Sequence, residues 1–159
     1  MSRFHIALLN PEIPGNTGNI GRLSLGVGAT LHLIHPLGFS TDEKAARRAG
    51  IDHWSKVDLV EHLDEEAFWR WADGRRVFAL SAKGGAPFNT ASFREGDVLL
   101  FGRESRGLPD RITERLPLLT IPSPGPVRSL NLSNAVAVVA YETRRQLSPE
   151  LFEAPGEPS

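Results

Sequence analysis

Residues 97–107 read DVLLFGRESRG: four consecutive apolar side chains, then a glycine, four polar residues and a second glycine. An apolar run this short, closed by glycine, is the pattern of a strand buried on both faces. A strand that empties directly into a loop of small and polar residues is also how open α/β sheets build ligand sites, beyond the carboxyl ends of their strands. RVFALSAKGG (76–85) repeats the pattern, and LLTIP (118–122) opens onto the similar loop IPSPGPVRS. Further out, RFHIALLN (3–10) and TLHLIHP (30–36) read as strands. Between them lie helical patterns. NTGNIGRLSLGVG (16–28) turns Leu23 and Val27 inward, and a helix start is expected at Ser40, Thr41 or Asp42. DEEAFWRWAD (64–73) is an acidic amphipathic helix with Phe68 and Trp71 on one side, ended by Gly74. LPDRITERL (108–116) gives a short helix and LNLSNAVAVVAYETRRQL (130–147) the closing one. The alternation predicts an α/β fold.

The chain has 159 residues and a mass of 17.4 kDa, enough to bury a core without a disulfide or metal staple. Residues 1–149 are read as one domain, and residues 150–159, rich in Pro and Glu, as a flexible tail. Zero cysteines exclude disulfides, a thiolate metal site and a thiol nucleophile. No apolar run approaches the ~20 residues of a membrane-spanning helix, and MSRFHIALLN does not have the layout of a signal peptide. A cytoplasmic protein is expected. The formal net charge of −1 hides an asymmetry: six acids and one arginine fall in residues 57–73 and three glutamates in the tail, which leaves 17 basic and 10 acidic residues elsewhere. That excess suits either a polyanion-binding face or an arginine-rich solubilising surface. Lys44, Arg47, Arg48, Arg144 and Arg145 are the candidate phosphate contacts.

Three loops, after Leu80, Phe101 and Thr120, offer small residues and main-chain groups rather than a charge cluster, which suits an adenosine-like ligand. Gly15, Gly18 and Gly21 do not make a G-x-G-x-x-G, and no G-x-x-x-x-G-K-[ST] is present, so a Rossmann dehydrogenase or P-loop NTPase fits poorly. His5, His32, His35, His53 and His62 follow no metal-ligand spacing, and no metal is expected. Ser129 lacks a G-x-S-x-G elbow. Glu104, between Arg103 and Arg106, reads as a general base or as an ionised partner in a structural salt bridge. PGPVRSLNLSNAVAVVAYE (124–142) crowds Ser129, Asn131, Ser133 and Asn134 at the start of an apolar helix, although one capping side chain satisfies the local backbone. The residues alone leave open an elaborate N-cap and a binding task. Between Ala135 and Ala140 apolar side chains cover nearly every face, which calls for burial by the sheet on one side and a second subunit on the other.

Three segments in this order, NTGNIGR (16–22), FGRESRGLP (101–109) and RSLNLSNAV (128–136), closely resemble the motifs of the SPOUT-class RNA ribose 2′-O-methyltransferases, over about residues 3–148. With no appended RNA-binding domain read in the sequence, the chain is most similar to the minimal members, which methylate the wobble nucleotide of tRNA, cytidine or uridine 34. The resemblance implies S-adenosyl-L-methionine as methyl donor and a homodimer. It also implies a parallel sheet flanked by helices, with a C-terminal trefoil knot. By motif position it implies cofactor contacts at Leu80, Gly102, Ile121 and Ser129, a methyl-transfer centre with Arg22, Asn131 and Asn16, and support from Glu104 and Asn134. Arg22 would bind the neighbouring phosphate and stabilise the developing alkoxide, because a guanidinium is not expected to deprotonate in a protein. Where relatives carry a tyrosine near the Gly50-Ile51-Asp52 step this chain does not, and Trp54 is the aromatic at hand for stacking on a base. The rival readings are the same chemistry on ribosomal RNA and a non-catalytic RNA-binding factor with this fold.

Overall fold

Strand β1 (His5–Leu9) sends Ile6 and Leu8 to one face of the sheet and Ala7 and Leu9 to the other, and all four are buried. In β6 (Val98–Phe101) the same alternation sets Leu99 and Phe101 against Val98 and Leu100. Two buried faces demand a layer of helices on each. The computed structural model describes residues 2–42 and 53–156. Within them β2 (Thr30–Ile34), β3 (Leu59–His62), β4 (Val77–Leu80), β5 (Ala86–Pro87) and β7 (Leu118–Thr120) join β1 and β6 in a parallel sheet of order β3-β2-β1-β6-β4-β7-β5. Helices α1 (Pro14–Val27) and α4 (Leu132–Leu147) cover the first face with Ile20, Val27, Val136, Val139 and Ala140. α2 (Glu65–Ala72) and α3 (Asp110–Thr113) cover the second with Phe68, Ala72 and Ile112. From β1 the chain runs outward to β2 and β3 on one side, while β6 lies on the other. The loops after β1 and β6 therefore flank the point where strand order reverses, the usual place for a ligand crevice.

The elements start and stop for local reasons. α1 opens on Pro14 and ends at Gly28, whose φ of 73° is a left-handed cap. α2 is capped by Asp64, whose carboxylate accepts the Ala67 N–H at 2.8 Å. β3 and β5 were not anticipated: VDLVEH mixes apolar residues with three charged or titratable ones because it is an edge strand, and β5 is two residues long. The helix expected from Ser40–Asp42 falls outside the described residues, as do Lys44, Arg47, Arg48 and the Gly50-Ile51-Asp52 step. The tail expected from residue 150 begins in a 3-10 turn, Pro149–Phe152.

Arg144 is a correction. It is 2 % exposed, and its guanidinium donates to the Val27 and Gly28 carbonyls at the end of α1 and to Ser148 Oγ. It satisfies main-chain acceptors at a helix C-terminus, where positive charge is favoured, and is not free to meet phosphate. Arg145 is held bidentately by Glu142.

The histidines also group in a way their spacing hides. Adjacent parallel strands bring His5, His32 and His62 into a row, with His5 Nδ1 2.9 Å from His32 Nε2 and His32 Nδ1 2.9 Å from His62 Nε2. Trp71 lies against all three rings. Burial lowers His5 to about 4 and His32 to about 3, and shifts His62 downward too. The folded state thus excludes protons that the unfolded chain takes up below about 6.5. Stability should fall as pH drops through the window from about 6.5 toward about 4, by up to about 1.4 kcal/mol per pH unit for a fully buried ring. Urea midpoints measured across this range should decline, and the decline should be shallower in His32→Gln, which keeps a donor and an acceptor without titrating. Equal slopes would assign the acid sensitivity to carboxylates instead.

Candidate functional site

Beyond the carboxyl ends of β4, β6 and β7 lies a cavity of about 680 Å³. Leu80, Gly102, Ile121 and Ser129 all line it, so the four expected cofactor contacts, from three loops far apart in sequence, converge on one space. Asn16 on α1, Asn131 at the start of α4 and Glu104 share its wall. Ala82, Leu132 and Ala135 add small and apolar lining. Lys83, Arg103, Arg106 and Arg128 add positive charge. Sequence assigns these four no role at the site, although Arg103 and Arg106 stand inside FGRESRGLP and Arg128 opens RSLNLSNAV, a position that signals them. Among the described residues there is no group of three or more His, Cys, Asp or Glu arranged to hold a metal ion, and no helix long and apolar enough to cross a membrane.

The crowded start of α4 resolves into separate tasks. Asn131 is the N-cap: its Oδ1 accepts the Ser133 N–H at 2.9 Å and the Ser133 hydroxyl at 2.6 Å. Capping therefore accounts for Ser133 and for the Asn131 oxygen, while Asn131 also lines the cavity. Ser129 is exposed on the approach loop. Asn134 is exposed in the first turn of α4, and its side chain has no hydrogen-bond partner among the described residues.

Glu104 binds neither neighbouring arginine. Its carboxylate accepts the Glu12 N–H at 2.8 Å and the Ile13 N–H at 3.4 Å, directly before α1. Ile13 is an N-cap residue with no side-chain acceptor of its own, and Glu104 supplies one from 91 residues away, with charge of the sign a helix N-terminus favours. In return Glu12 Oε1 accepts the Ser105 N–H at 3.1 Å and the Ser105 hydroxyl at 2.7 Å. Those two bonds hold the Glu12 carboxyl below its usual range.

Arg22 does not line the cavity. It is exposed on α1 and has no ion pair among the described residues. Six residues along a helix is about one and two-thirds turns, so Asn16 and Arg22 point to different sides. Trp54 is half-buried, packed against the core. A Cβ on Gly21 would come within 2.9 Å of its ring, and its Nε1–H donates to the Thr41 carbonyl at 3.4 Å.

Residues 3–141 match the model of the SpoU rRNA Methylase family. The tRNA (cytidine(34)-2'-O)-methyltransferase of Escherichia coli (strain K12) is 47 % identical over 147 residues, covering 91 % of this chain and 94 % of that protein. A solved structure concerned with the 2-OH methylation of C/U34 on tRNA superposes with a TM-score of 0.88 at 52 % identity, covering 93 % of this chain and 98 % of that one. An AdoMet-bound rRNA methyltransferase from Sinorhizobium meliloti superposes with a TM-score of 0.81 at 27 % identity, over 92 % of this chain and 58 % of that one. With its three loops on one cavity and a match across most of its length, this chain belongs to the SpoU methylase family.

Proposed function

We propose that the protein transfers a methyl group from S-adenosylmethionine to the ribose 2′-hydroxyl of the wobble nucleotide, cytidine or uridine 34, of tRNA, acting as a cytoplasmic homodimer. The observation that carries this reading is the convergence of Leu80, Gly102, Ile121 and Ser129 on one cavity with Asn16 and Asn131 on its wall. A volume of about 680 Å³, with apolar surface from Leu80, Phe101 and Ile121 beside polar and basic side chains, fits a nucleoside-sized cofactor. Relatives with nearly full-length matches carry the tRNA activity in their names.

When bound, S-adenosylmethionine supplies an electrophilic methyl on a sulfonium. Leu80, Ile121 and Ala135 would enclose its apolar parts, and Gly102 and Ser129 would border it. Lys83, Arg103, Arg106 and Arg128 would draw substrate phosphate to the rim. Asn131 and Asn16 would orient the ribose, since placing the hydroxyl oxygen in line with the methyl accounts for much of the rate.

The homodimer is supported by exposed apolar side chains on α1 and α4: Leu25 is 39 % exposed, Val138 38 % and Tyr141 46 %. Arg22, three residues before Leu25, stands on that side of α1 and would reach the pocket of a second copy instead of its own. The threading of the C-terminal segment as a trefoil knot belongs to the same proposal.

Incubating the protein with bulk RNA and labelled cofactor, then mapping the methylated nucleotide, tests the reading. Label at position 34 of tRNA is the expected result. Label only in ribosomal RNA, as the S. meliloti relative would suggest, would replace the substrate but keep the chemistry.

A further inference from the structure

The loops after β1 and β6 are tied to each other across the point where strand order reverses, and the ties are reciprocal. Glu104 grips the main chain at Glu12 and Ile13, while Glu12 grips the main chain and hydroxyl of Ser105. Both partners are built to be stiff. The β6 loop is closed on itself, with the Gly107 N–H donating to the Arg103 carbonyl at 2.9 Å, and Glu104 and Ser105 form its tip. On the other side the β1 loop is pinned from behind: Asn10 Nδ2 donates to the Ile34 and Pro36 carbonyls, and Gly38 donates to the Pro11 carbonyl at 3.0 Å. Gly38 also lies so close that a Cβ there would fall 2.7 Å from the Glu12 carbonyl oxygen. A displacement of the 102–107 loop is therefore delivered to the first turn of α1 rather than absorbed by slack in between.

Resting on the methyl-transfer reading above, we propose that Glu12 is a positioning residue: its grip on Ser105 latches the loop 102–107 to α1, so that filling the cavity sets where Asn16 stands. Glu104 alone fixes the main chain directly before α1, at Glu12 and Ile13, to the loop. Glu12 adds the reverse contact, which a single tie lacks, and so removes the rocking freedom between the two loops. Glu12 itself does not line the cavity. Its removal should misplace Asn16 without touching the cofactor.

The test is steady-state methylation of tRNA by the full chain together with calorimetry using S-adenosylhomocysteine. Glu12→Ala should lose about tenfold to 100-fold in kcat, the scale of a small misplacement of reacting groups. Its KM for tRNA and its affinity for S-adenosylhomocysteine should stay within about twofold of wild type. Glu12→Gln should restore most of kcat, since its amide oxygen accepts from the same two Ser105 donors. Ser105→Ala keeps the main-chain donor and should lose less, and adding it to Glu12→Ala should cost nothing further. Amide exchange reads the latch without turnover. S-adenosylhomocysteine should slow exchange in residues 102–107 and 14–20 of wild type, but only in 102–107 of Glu12→Ala. Wild-type kcat in Glu12→Ala, equal impairment of Glu12→Gln, or a loss confined to cofactor affinity would overturn the latch. Should Glu12→Ala not fold, Ser105→Ala and the exchange pattern of wild type decide the matter. A wild type that binds S-adenosylhomocysteine and shows the coupled protection but methylates no RNA would overturn the functional reading and leave the latch standing.

Discussion

Replacing Arg22 with alanine is expected to lower methyl transfer about 100-fold or more, the usual scale for losing a donor that stabilises developing charge. Affinity for S-adenosylhomocysteine should stay nearly constant, because the cavity lining contains Asn16 from α1 but not Arg22. Stability should also change little: Arg22 is exposed and makes no ion pair among the described residues, so its truncation leaves no buried group unsatisfied. A guanidinium with no structural partner, beside the exposed Leu25 on the α1 face proposed to meet a second copy, is available to bind phosphate and the reacting oxygen together. Arg22→Lys keeps the charge but loses the planar fork and should be nearly as poor. Mixing Arg22→Ala subunits with subunits disabled at Gly102 separates the two placements. If Arg22 serves its partner's pocket, mixed dimers regain one working site; if it serves its own, they regain none. A folded Arg22→Ala dimer that methylates at the wild-type rate would move the role to Asn131 and Glu104.

The strands that form the middle of the sheet were legible because burial on both faces leaves a continuous apolar run, as in VLLF of β6 and VFAL of β4. β3 was not, because an edge strand with His62 and Glu61 carries too few apolar residues to stand out. The site followed the same division. Leu80, Gly102, Ile121 and Ser129 stand out through loops and motifs, which are local in sequence, and all four line one cavity. What sequence could not deliver was pairing at long range. Glu104 was read against its neighbours Arg103 and Arg106, yet it binds main chain 91 and 92 residues away. Arg144 was read as a surface cation, yet it is buried against carbonyls 116 and 117 residues away. Charge type says that a partner is needed, and only the fold says which one.

Gly102→Ala should abolish S-adenosylhomocysteine binding at concentrations that saturate the wild type, and it should be the most damaging single methyl group in the chain's cofactor loops. The backbone at Gly102 turns back so closely on its own loop that a Cβ would lie 2.0 Å from the Gly107 carbonyl carbon, 2.2 Å from the Leu108 nitrogen and 2.5 Å from the Gly107 oxygen. All three are main-chain atoms, so no side chain can swing aside to make room. Nor can the main chain retreat easily, since Leu108 is buried in the core beneath α2 and α3 and the loop tip is tied to Glu12. Overpacking of a well-fixed site costs about 1–3 kcal/mol, and here the strain must open the 103–107 turn that borders the cavity. Gly96→Ala is the matched control. Gly96 has φ of 85°, a Cβ there meets nothing within 4 Å, and it does not line the cavity, so alanine incurs only the left-handed backbone cost of about 1–2 kcal/mol. Gly96→Ala should therefore lose stability in thermal unfolding yet bind S-adenosylhomocysteine as the wild type does, whereas Gly102→Ala should fail to bind. If Gly102→Ala binds within a few-fold of wild type, the loop has room that this backbone does not show, and the cofactor cannot depend on the closed turn.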